Sequence, residues 1–174
     1  MQNGFLREGN LASDRNLAVL PQVVNEVENA LAKGWKVIFT ADTHEVEDEE
    51  FKMFPEHCVR GTSEAELADE LKKFVETDTD DQVWVVPKRR YSAMFETQLE
   101  GLLNRFEIDD VRICGVCTDI CVMHTTSDLR NRDITVTVAA PATATFDAPG
   151  HDGDQVHAFA LAHMEGILGA TVER

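Results

Sequence analysis

The sequence predicts a three-layer α/β/α domain on a doubly wound, mainly parallel sheet, and three observations carry that prediction. Five short runs rich in β-branched residues recur along the chain: KVIFTAD (36–42), DQVWVVPK (81–88), VRICGV (111–116), ITVTVAA (134–140) and ATVE (170–173). Each follows a segment with an apolar repeat near 3.6 residues, the alternation expected of a parallel sheet covered on both faces. The chain has 174 residues, 43% of them hydrophobic, which suffices for one sizeable core but not two. Residues 1–174 therefore read as a single domain.

Taken in order, the chain opens with MQNGFLREGNLASDRN, a loop leading into a helix. The element order then calls for a strand ahead of Met1. The first long helix starts at Pro21, a tolerated first position because that N–H has no helical partner anyway. It puts Val24, Val27 and Leu31 on one face and stops at Gly34. Ser63 followed by Glu66 matches a capping box and predicts a helix with Leu67, Leu71 and Phe74 inward. Further helices are expected over about 92–106, from 118 or 119 with Val122, Thr125, Thr126 and Leu129 buried, and over about 154–168. No repeat, linker or low-complexity block interrupts the pattern.

The formal charge is −16, from 32 acidic against 16 basic residues, with no basic stripe to offset it. Nucleic acid is thereby excluded as an expected partner. No apolar run approaches the length of a membrane span, and the first residues lack the basic-then-apolar order of a secretory signal. A cytoplasmic protein with no membrane partner is expected. Its four cysteines then stay reduced, so they serve as ligands, core residues or nucleophiles rather than as disulfides.

In open α/β sheets ligands gather beyond the carboxyl ends of the strands. The first run ends in Asp42 and His44, the second in Lys88, and the third leads into Cys117 and Cys121. Cys121 falls in the first turn of a helix, where free backbone N–H groups favour an anion, so its thiol is expected to be partly ionised. Lys88 pushes the same way, while Cys114 reads as a small core residue inside an apolar strand. Cys114, Cys117 and Cys121 share a C-x2-C-x3-C spacing. A strand and a helix separate the first thiol from the third, however, and cluster ligands usually come from one wrapping loop. A Cys121–His124 pair is open on helical spacing but ranks below Lys88 as the activating group. Asp42, His44 and His57 form a donor set suited to zinc, iron or manganese. The run EVEDEE (45–50) reads as a solvated acidic loop, one of whose carboxylates could complete that set.

Four motifs stand in order: T-A-D-T-H (40–44), F-P-E-H-C-V-R-G-T (54–62), P-K-R-R-Y-S-A (87–93) and G-V-C-T-D-I-C-V (115–122). Together they resemble the isochorismatase-like cysteine hydrolases, over Met1 to about Ala140. The metal-type motif points to the nicotinamidase branch, because isochorismatases proper lack those ligands. The resemblance implies that Cys121 is the nucleophile and Lys88 the catalytic lysine. It also implies a cis Val116–Cys117 peptide that aims the backbone N–H groups of Cys117 and Cys121 at an oxyanion. Asp42, His44, Glu50 and His57 match ligands of one divalent metal, zinc first, with iron or manganese as alternatives. Phe5 and Phe54 match aromatic pocket walls, Asn3 falls in the family's Asp-x-Gln-Asn segment, and Phe95 and Ile120 are further pocket candidates. The implied activity converts nicotinamide to nicotinate and ammonia through a thioester, in NAD salvage, with a homo-oligomer as the usual assembly.

One departure is equally plain. The family's third catalytic residue is an aspartate ending the first strand, and this chain begins at the residue after it. The favoured expectation is a longer natural chain carrying that strand, with a scaffold that has lost catalysis as the alternative. Two other readings stay open: a related cysteine hydrolase acting on another small amide, carbamoyl compound or vinyl ether, and a binding protein built on the same sheet.

Overall fold

The computed structural model describes residues 1–174. Its strands are β1 (Val37–Asp42), β2 (Val83–Lys88), β3 (Asp110–Val116), β4 (Thr135–Ala144) and β5 (Thr171–Glu173). All pairings are parallel, in the orders β1-β2 and β3-β4-β5. The helices are α1 (Asn3–Leu6), α2 (Asp14–Ala18), α3 (Leu20–Ala32), α4 (Asp69–Glu76), α5 (Leu99–Arg105), α6 (Met123–Arg130) and α7 (Gly153–Gly166). Successive strand side chains point to opposite faces, so each strand feeds two cores. Val37, Phe39 and Ala41 join Val23 and Val27 of α3 and Leu71 of α4 on one side. Val86, Val136 and Val138 join Leu102, Leu129 and Met164 of α5, α6 and α7 on the other. The result is the expected α/β/α layering.

Two predicted helices shrink, for identifiable reasons. Residues 92–98 are turns, and only Leu99–Arg105 is helical. Ser92 Oγ accepts from Met94 N–H at 3.1 Å and Thr97 Oγ1 from Leu99 N–H at 3.1 Å, so short hydroxyl side chains take backbone donors that a helix would use. The Ser63–Glu66 capping box does not form. Ser63 Oγ turns to Glu8, Glu66 pairs with Lys72, and the helix begins instead at Asp69.

The two sheets do not bond to one another. β1 pairs with β2 alone and β3 with β4 alone, and the residues of both strands line one cavity of about 690 Å³. Val27 of α3, Leu103 of α5 and Met1 complete its walls. Cys114, expected in the core, lines this cavity, and burial raises its thiol pKa to about 11.

Candidate active site

The register of β1 on β2 sets Asp42 beside Lys88, so two strand ends deliver a carboxylate and an ammonium to one point. Lys88 Nζ bonds the Asp42 carboxylate, donates to Arg90 O at 3.0 Å and lies 3.3 Å from Cys121 Sγ. β3 supplies the sulfur. After the positive φ of Gly115, which no β-branched residue would adopt comfortably, the chain passes the cis Val116–Cys117 peptide. It then winds into a wide π-type turn over Thr118–Val122. There the Ile120 and Val122 N–H groups both reach Cys117 O at 3.2 Å, which fixes Cys121 against Lys88.

Burial works against charge on Lys88, but Asp42 and Cys121 outweigh it and hold the side chain firmly as ammonium. For Cys121 the balance differs. Burial pushes the thiol up, and Lys88 together with the Cys117 N–H opposes this without reversing it. Against the expected partial ionisation, burial and then the Asp42 charge push this thiol upward, and Lys88 only moderates the shift. Cys117 itself is buried, with Asn16 Nδ2 3.8 Å from its sulfur. His124 makes no pair with Cys121, because its Nδ1 bonds Ile120 O at 2.7 Å.

Beside this cluster, one donor atom each from Asp42, His44 and His57 lie within 4.8 Å of one another, and all three residues are buried. His57 Nδ1 bonds Pro55 O at 2.8 Å, which makes that nitrogen the donor and leaves Nε2 its lone pair. His44 and His57 direct Nε2 to within 3.9 and 3.8 Å of Glu50 Oε1. His44 is fully buried, yet neither ring nitrogen has a hydrogen-bond partner, and Glu50 Oε2 has none either. Burial, then the Asp42 charge, pushes the Glu50 carboxyl up to about 7. Orphaned buried donors on converging imidazoles and carboxylates are the chemistry of a divalent cation site, and these residues fit one.

A pocket opens over both groups. Its walls are Phe5, Leu11, Phe54, Tyr91, Ile120 and Phe146, and its floor holds Asp42, Glu50, His57, Cys117 and Cys121. The side chains leave about 20 Å³, room for little more than a water. Two expected pocket residues lie elsewhere. Phe95 is 45% exposed because the 92–98 turns carry its ring outward, and the Asn3 amide is spent on Ser63 O at 3.2 Å. Leu11, Tyr91 and Phe146 went unassigned in the sequence. Tyr91 stands inside P-K-R-R-Y-S-A, and the strand-end rule extended to β4 leads to Phe146.

The family model for the isochorismatase domain matches residues 1–173. An isochorismatase family protein of Bacillus subtilis is 33% identical over 154 residues, covering 86% of this chain and 81% of its own. The crystal structure of a pyrazinamidase/nicotinamidase from Streptococcus mutans superposes with a TM-score of 0.87 at 32% identity, over 96% of this chain and 92% of that one. N-carbamoylsarcosine amidase from Thermoplasma acidophilum gives 0.84 at 26% identity, over 100% and 91%.

Proposed function

The chain belongs to the isochorismatase family, and on that premise we propose that it hydrolyses the carboxamide of nicotinamide to nicotinate and ammonia through a thioester on Cys121. The observation that carries this reading is the 3.3 Å approach of Lys88 Nζ to Cys121 Sγ beneath a pocket walled by aromatic rings.

In this scheme the Cys121 sulfur attacks the carboxamide carbon, and the Cys117 and Cys121 N–H groups receive the developing oxyanion. As the sulfur attacks, the thiol proton passes to Lys88 while Lys88 hands one to the Asp42 carboxylate; when the C–N bond breaks, that proton returns through Lys88 to the departing nitrogen, so ammonia leaves and the acyl group stays on sulfur. Asp42, bonded to Lys88, keeps the exchange electrically balanced in a buried place. Water then adds to the thioester carbon, releasing nicotinate and restoring the thiol. Phe5 and Phe54 hold the ring so that the carboxamide stays in attack geometry. Asp42, His44, Glu50 and His57 would hold a divalent metal, zinc by the preference of this donor set, which supplies a Lewis-acidic anchor for a ring nitrogen.

Ammonia release from nicotinamide tests the proposal. Activity abolished by Cys121→Ala and by chelation is expected; turnover that survives a chelator removes the metal from the scheme. A second reading, hydrolysis of a small carbamoyl amide, draws on the narrow pocket and the likeness to N-carbamoylsarcosine amidase. A panel of aromatic and carbamoyl amides separates the two by relative kcat/KM.

A further inference from the structure

Within the acidic run 45–50, Glu45, Val46, Glu47 and Glu49 face solvent, whereas the side chains of Asp48 and Glu50 are only 4% and 5% exposed. Asp48 is held from two sides: Oδ1 accepts from Glu50 N–H at 3.0 Å and from Arg90 Nη1 at 2.7 Å. Its other oxygen lies 3.4 Å from His44 Nδ1, close enough for its charge to act on the ring although no hydrogen bond is formed. The charge of a carboxylate there favours the tautomer with hydrogen on Nδ1, which leaves the Nε2 lone pair on the side of Glu50. Pro55 O does the same for His57.

Arg90 links this carboxylate to the rest of the site. The Nη1 that bonds Asp48 is also 3.8 Å from Glu50 Oε2, and the Arg90 carbonyl accepts from Lys88 Nζ at 3.0 Å. Three buried carboxylates, Asp42, Asp48 and Glu50, would otherwise repel one another, and the guanidinium stands between two of them.

We propose that Asp48 and Arg90 are positioning residues for a divalent cation site: Asp48 sets the His44 tautomer, and Arg90 locks Asp48 and Glu50 in the orientation that receives the ion. This inference rests on the metal part of the proposed function, and it concerns residues that touch neither substrate nor cation.

The test measures zinc affinity of the full chain by competition with a chromophoric chelator, for wild type, Asp48→Asn, Arg90→Met and Glu49→Gln. Melting of the metal-free proteins and iodoacetamide labelling of Cys121 are followed in parallel. Asp48→Asn retains the bond from Glu50 N–H but weakens the hold on Nδ1, so zinc affinity is expected to fall roughly 10–100-fold. Arg90→Met falls likewise, while labelling and metal-free melting of Asp48→Asn stay near wild type. Glu49→Gln removes the same charge from an exposed position and leaves affinity unchanged. Equal zinc affinity in Asp48→Asn and wild type overturns the proposal, as does a loss matched by Glu49→Gln or by a parallel fall in metal-free melting temperature. Absence of zinc binding in the wild type overturns it together with the metal reading. Zinc binding without turnover of nicotinamide defeats only the substrate assignment.

Discussion

Gln2 holds Asp42 by both of its peptide groups: the Gln2 carboxamide donates to Asp42 O and accepts from Asp42 N–H, each at 2.7 Å. A residue of a neighbouring strand would make the same pair of bonds, so this buried side chain closes the end of an otherwise open edge of β1. Gln2→Leu leaves both Asp42 groups without partners. Stability is expected to drop by about 2–4 kcal/mol, and ammonia release to fall as Asp42 loosens its grip on Lys88. Urea denaturation measures the first effect; an unchanged midpoint would show that Gln2 is incidental to the site.

Lys88 opposes the burial that raises the Cys121 thiol. Replacing it by Met removes that opposition, so the pH at which iodoacetamide labelling reaches half its maximum moves upward. Turnover is expected to fall by about 10²–10⁴ in the same variant. A labelling profile that stays in place or moves down contradicts the assignment of Lys88 as the activating charge.

His151 stacks on Phe146 with ring centroids 4.4 Å apart, and its two nitrogens reach Phe146 O at 2.9 Å and Asp119 Oδ2 at 3.0 Å. Both partners accept, so both nitrogens must carry hydrogen. Burial works against that charge, but Asp119 and the carbonyl prevail and the pKa is raised above 6.5. A raised folded-state pKa gives stability that is complete below the unfolded value and vanishes as pH climbs through the folded one. The melting temperatures of wild type and His151→Asn should therefore differ most below the ordinary histidine range and converge as the pH climbs past the raised folded-state value. A gap independent of pH points to packing alone.

Much of this layout was legible in the chain. Apolar β-branched runs located all five strands, and the rule that ligands collect at strand ends singled out Asp42, Lys88 and Cys121, of which Lys88 touches both others. Other features were hidden for local reasons. The run 45–50 contains five acidic residues of nearly equal polarity, and only the path of the loop, with Glu47 at φ 66°, decides which carboxylates turn inward. The helical position of Cys121 is written in the sequence, while the burial that pushes its thiol upward is not.

Periodicity and residue type determined the α/β alternation, the family resemblance and the reactive groups at the strand ends, because those follow from local geometry repeated along the backbone. The tertiary structure alone decided that Arg90 bonds Asp48 beside His44, that Leu11 and Phe146 line one pocket with Cys121, and that Gln2 bonds both peptide groups of Asp42. Such relations join residues far apart in the chain, and they depend on burial and on side-chain direction, which no spacing encodes.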